Sequence, residues 1–149
     1  MAYTASVPVK FCRSRDLVYE ALCDLGRYAE WNTDMVYIST GEVMRPGLKY
    51  VTRTKVAGRI NESHVEVVRL VEGREINLRS STGMIMFEAS FVLADVEGGG
   101  TNVTCRLEFA FQNFVIQLAR SAIEGMAQDR VRRDLTRLDA LLCAEAPAI

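Results

Sequence analysis

Few side chains in this sequence are of a type that makes or breaks bonds at neutral pH. There is one histidine, His64, between Glu62 and Glu66 in RINESHVEVVRL (59–70), a segment that reads as a strand. A period of two puts these three side chains on one solvent-facing side, so His64 reads as a surface group rather than a general base. A single imidazole excludes a histidine-rich metal centre. The cysteines, Cys12, Cys23, Cys105 and Cys143, show neither a C-x-x-C pair nor a zinc-type spacing. The first residues, MAYTASVPVKFCRS, lack the apolar core of a secretion signal, so the cysteines are expected to be buried free thiols and the protein cytoplasmic. Neither a metal ion nor a cofactor is expected, and no nucleophile–base–acid set can be assembled.

What remains is a set of hydroxyls where apolar residues would be normal. Tyr50, Thr52 and Thr54 alternate with Lys49, Arg53 and Lys55, and Ser80 and Thr82 follow Ile76 and Leu78. Burying a hydroxyl without a partner costs about 1–3 kcal/mol, so several facing inward point to a cavity that holds water or the polar end of a ligand. The lone tryptophan, Trp31, follows Tyr28 in EALCDLGRYAEWNTDM. A large ring with one polar N–H suits the end wall of such a cavity, ring inward and N–H toward the opening; a packing anchor for a short helix is an equal alternative.

The elements that must carry these residues follow from periodicity. At 149 residues, 49% hydrophobic and 25% charged, the chain is expected to be one globular domain, residues 1–149. Its net charge of −1 and the lack of a basic stripe disfavour nucleic acid as a partner. No run approaches the ~20 apolar residues of a membrane span, so no stable membrane insertion is expected. Residues 3–11 read as a strand, Ser14 as the N-cap of a helix over 15–22, and Gly26 as the divider before a second short helix ending near Trp31. From Asp34 to Phe111, turn signals at regular intervals predict six antiparallel strands. In the last of them Val103, Cys105, Leu107, Phe109 and Phe111 share a face opposite Thr104, Arg106 and Glu108.

After Gln112 a helix is predicted to about Leu142. Its apolar stripe moves by roughly 140° between its halves, which predicts a kink, bulge or break between Asn113 and Asp129, with Gly125 at the changeover. Its charges, among them Arg130, Arg133 and Asp134, are expected on a solvated face. One sheet with one apolar face and one long helix to cover it is an α+β two-layer domain. A twisted sheet curled round a single helix is not filled by that helix's side chains.

This order, with these residues in it, resembles the START-like (SRPBCC) superfamily, which includes polyketide cyclase/dehydrase and lipid-transport proteins. The resemblance rests on Val18-Tyr19-Glu20-Ala21-Leu22-Cys23-Asp24 followed by Trp31, on Pro46-Gly47 before a strand, on Gly98-Gly99-Gly100-Thr101 entering the last strand, and on the C-terminal helix. It implies a helix-grip fold: a seven-stranded curved antiparallel sheet round a long C-terminal helix, with two short helices after strand 1 and a cavity between the layers.

Alternation and this resemblance together nominate the cavity wall. Tyr28 and Trp31 form one end; Tyr50, Thr52 and Ser80 supply hydroxyls. Phe87, Ala89 and Phe91, then Cys105, Leu107 and Phe109, line the strands, and Leu118, Ala122 and Met126 the helix, with Phe114 near its start. Binding of a small hydrophobic ligand is the leading expectation. A polyketide cyclase/dehydrase using the same cavity is the alternative; from the resemblance, Arg53 or Arg79 with Tyr50 would steady an enolate there. A regulatory interaction module is a third reading. Met84 and Met86, in a segment apolar on both faces, suggest a homodimer contact or a local cover.

Overall fold

The computed structural model describes residues 3–112 and 117–145. Strand β1 (Tyr3–Phe11) leads into α1 (Arg15–Cys23), a 3-10 turn (Leu25–Arg27) and α2 (Tyr28–Trp31). Six strands follow: β2 (Met35–Ile38), β3 (Lys49–Val56), β4 (Arg59–Val71), β5 (Glu75–Ser80), β6 (Ile85–Asp95) and β7 (Thr101–Phe111), and then helix α3 (Arg120–Ala144). The strands form one antiparallel sheet in the order β1-β7-β6-β5-β4-β3-β2, so the first strand returns beside the last, from Tyr3↔Phe109 to Phe11↔Thr101. This is the expected α+β arrangement of seven strands, two short helices and a C-terminal helix. Among the described residues no helix is long and apolar enough to cross a membrane.

Alternation does what the sequence implies. On β7, Val103, Cys105 and Phe109 are buried while Arg106 and Glu108 are exposed. Two turns need glycine for reasons of space. Gly100 (φ +91°) lets the β6–β7 turn pass Phe11, whose carbonyl oxygen would lie 2.5 Å from a Cβ. At Gly83 (φ +93°) a Cβ would collide with the Glu62 carbonyl. Ser14 stands at the N-cap of α1 without a side-chain cap bond. The working cap comes later, where Asp24 Oδ1 accepts the Gly26 N–H at 3.0 Å and opens the 3-10 turn.

The packed core sits at one end of the layers. Phe11, Val18, Leu22 and Leu25 meet Val67, Ile76 and Val103 from the sheet and Leu135 and Leu138 from α3, all fully buried. Helix α2 is strapped to the same half of α3: Arg137 Nε donates to the Glu30 carbonyl at 2.6 Å, and Arg27 pairs with Glu145 at 2.7 Å.

Two expectations are corrected. The C-terminal helix starts at Arg120, not directly after Gln112; Ala119, its N-cap residue, is extended (φ −61°, ψ 145°). The helix then runs through Gly125 without interruption to Ala144. The non-helical stretch falls at residues 117–119, inside the predicted interval but before the glycine, and residues 113–116 of that interval lie outside the described residues. The drifting stripe therefore recorded residues such as Leu118 that are not on the helix, so no kink is needed to rephase it. The second correction concerns the thiols: Cys12 and Cys143 form a disulfide, and only Cys23 and Cys105 are buried and free. The pair is 131 residues apart in sequence and meets because α3 packs along β1, a juxtaposition that cysteine spacing does not encode.

Candidate functional site

Between the sheet and the first half of α3 lies a cavity of about 540 Å³. Its wall has two characters. Strands β5, β6 and β7 contribute an apolar half, with Leu78, Phe87, Ala89, Phe91, Leu107 and Phe109. Strands β3 and β4 contribute hydroxyls and an amide: Tyr50, Thr52, Thr54, Asn61 and Ser63. Since β5 adjoins β4 in the sheet order, the two sets lie side by side, and a single occupant meets apolar surface on one side and polar groups on the other. The lining includes the exposed residues Ala57, Arg59, Leu118 and Met126, so the space opens between the β3–β4 hairpin and the start of α3.

Of the residues nominated from sequence, Tyr28, Trp31, Tyr50, Thr52, Phe87, Ala89, Phe91, Cys105, Leu107, Phe109, Leu118 and Met126 line this space. Two do not. Ser80 is buried behind the wall, its hydroxyl donating to the Thr82 carbonyl at 3.2 Å, and Ala122 is exposed. Thr82 is not an inward hydroxyl either; its Oγ1 accepts the His64 N–H at 3.3 Å. Phe114, expected near the helix start, lies outside the described residues.

Burial tunes the groups of the wall. Desolvation pushes the Tyr28 and Tyr50 phenols well above their ordinary range, so both stay neutral. Burial also pushes the Cys105 thiol up to about 12. Trp31 packs edge-on against Tyr28, ring centroids 4.8 Å apart. Its N–H does not face the opening as expected: Nε1 is buried and has no partner among the described residues. The same holds for Oδ1 of the neighbouring Asn32, which also lines the cavity.

Sequence reasoning missed the charged groups of the wall. Arg130 and Asp134, expected on a solvated face, line the cavity together with Asp34, and Asp134 is only 6% exposed. Arg133 ties the acids together, donating from Nη2 to Asp34 at 2.7 Å and from Nε and Nη2 to Asp134 Oδ1 at 3.3 Å each. Arg130 Nε stands 3.5 Å from Asp34. The Arg133 hydrogen bond holds the Asp34 carboxyl below its usual range, whereas burial raises that of Asp134 against the pull of Arg133. A signal was present. Asp134 is three residues after Val131 and four before Leu138, inside the apolar stripe rather than opposite it.

The outer face holds the other candidates. Arg53 pairs with Glu62 at 3.0 Å, over the Tyr37 ring, and Arg79 pairs with Glu66 at 3.2 Å. His64, on the same face, contacts Glu62 at 3.3 Å. Both strand arginines face outward, as alternation places them, so the enolate role that the resemblance offered them is corrected; the cavity cation on α3 is Arg130.

Solved structures with this fold extend across bacteria. A START superfamily protein from Mycobacterium smegmatis aligns with a TM-score of 0.76 and 13% identity over 93% of this chain and 95% of its own. A protein of Thermus thermophilus aligns with a TM-score of 0.80 and 15% identity over 97% and 99%. The Zhui aromatase/cyclase from Streptomyces sp. R1128 aligns with a TM-score of 0.71 and 18% identity over 96% and 92%. At such identities the likeness is one of fold. No curated protein sequence matches this chain. The sequence profile described as polyketide cyclase / dehydrase and lipid transport matches residues 2–142, and the chain belongs to that family.

Proposed function

We propose that the chain binds a small hydrophobic molecule, lipid- or polyketide-like, between the sheet and α3. The observation that carries this reading is the two-sided wall of the 540 Å³ cavity. An occupant would lay an apolar body on β5–β7 and turn a polar edge toward Tyr50, Thr52, Asn61 and Ser63. Native mass spectrometry of the protein as purified, paired with Trp31 emission during titration with a naphthalene-type apolar dye, tests it. A retained small molecule or a saturable emission change is expected. An emission unmoved by dye, in protein that carries no small molecule, overturns the proposal.

A second reading, a polyketide cyclase/dehydrase, is favoured by one observation: Asp134 and Arg130 place a titratable carboxyl and a cation on the wall of an apolar space. There they can exchange a proton with a bound polyketone and stabilise an enolate. The check is the product spectrum of a reactive polyketone with the wild type and with Asp134→Asn. The reading predicts a shift that the variant abolishes, and spectra identical to the uncatalysed one dispose of it. A homodimer through Met84 and Met86 rests chiefly on Met86, since Met84 lines the cavity.

A further inference from the structure

The sulfur pair that joins the ends of the chain has a third member. Asp139 and Cys143 lie one turn apart on α3, and Cys12 follows the last residue of β1. Asp139 Oδ1 accepts the Cys12 N–H at 2.9 Å and lies 3.3 Å from Cys143 Sγ. The three donor atoms fall within 4.8 Å of one another. Cys12 is exposed and the other two are half-buried. Both supports are rigid: Phe11 and Leu138 are fully buried, and Leu142 nearly so.

Two sulfurs and a carboxylate are a donor set for zinc-like divalent ions, bound tetrahedrally with Zn–S near ~2.3 Å. That geometry needs the sulfurs about 3.8 Å apart. The Cα separation of 6.2 Å accommodates it as readily as it does a disulfide. We propose that reduction of the Cys12–Cys143 disulfide converts this corner into a metal site, in which Cys12, Asp139 and Cys143 bind Zn²⁺ and water takes the exposed fourth position. A dithiol supplies the two electrons: it becomes a cyclic disulfide while Cys12 and Cys143 become thiols. Zn²⁺ then replaces the two thiol protons, which pass to solvent. A low-molecular-weight disulfide takes the electron pair back: with two protons from solvent it leaves as two thiols while the Cys12–Cys143 bond re-forms and Zn²⁺ is released, so the corner is closed by a covalent bond in one state and by a metal in the other.

The test uses the whole chain, reduced with dithiothreitol, freed of it under nitrogen and titrated with Co²⁺. A single equivalent should give intense sulfur-to-cobalt bands in the near ultraviolet and the visible bands of tetrahedral cobalt, both lost on adding Zn²⁺. Oxidised protein should give neither. Cys12→Ser with Cys143→Ser should abolish the bands although Cys23 and Cys105 remain; Cys12→Ser alone, at an exposed position, serves if the double variant fails to fold. Asp139→Asn should keep sulfur-to-cobalt bands but bind at least ~10-fold more weakly. No bands in reduced wild type, equal bands in the serine variants, or unchanged affinity in Asp139→Asn would each overturn the site.

Discussion

The two halves of α3 come from one uninterrupted helix yet live in different surroundings. From Asp134 to Leu142 the inner stripe is buried: Leu135, Leu138 and Leu142 fill the core, and a disulfide and the Arg137 contact tie this half down. In the first half only Ile123 is buried, while Met126 is 62% exposed. The difference teaches where a helix-grip molecule keeps its stability. The sheet closes tightly on the second half; on the first, β1 is held where Glu124 accepts from Thr4 N–H at 2.6 Å, and the inner strands stand away to leave the cavity. One half holds the molecule together so that the other need not.

The largest expected effect tests that division directly. Leu138→Ala removes a fully buried side chain and should cost about 3–4 kcal/mol, whereas Met126→Ala should cost less than about 0.5 kcal/mol, both read from urea unfolding. Similar losses in the two variants would break the comparison.

The boundary between the halves carries a pH signature. Burial raises the pKa of Asp134, so its contribution to stability is complete below the unfolded aspartate value of ~3.9 and declines as pH rises through the folded one. Asp34, whose pKa is lowered, acts oppositely: its contribution is present above ~3.9 and is lost as pH falls through its folded value. Asp134→Asn should therefore gain stability relative to wild type as pH rises above about 4. A constant difference in urea midpoints across that range would place the carboxyl in water rather than in the wall.

A small effect of opposite sign belongs to the open end. Ala57, in the β3–β4 turn, has φ +50° and precedes Gly58 at φ +77°. Asparagine tolerates that left-handed conformation better, so Ala57→Asn should raise stability by about 1 kcal/mol in the same assay. No gain would mean that the hairpin relaxes freely, sharpening the picture of a loosely held end.

The strands are legible in the sequence because turn residues and a period of two are local signals, as in MIMFEASFVLAD or TNVTCRLEFAF. Most of the wall is legible by the same alternation, Tyr50 and Phe87 included. What escapes such reading depends on the third dimension. Leu118 reads as helical because its apolar character fits a helical stripe, yet the chain there is non-helical. Asp134 reads as solvent-facing because it sits in a charge run, although its spacing from Val131 and Leu138 places it inward. The Cys12–Cys143 contact exists only once α3 lies along β1.

Cys105 has a consequence of its own. Its sulfur sits on the wall of the container, and a thiol titrating near 12 offers almost no thiolate at neutral pH. An electrophilic guest, such as an enone or a poly-β-ketone, would therefore be housed beside it without alkylating it. Toward such a guest the wall would be chemically quiet.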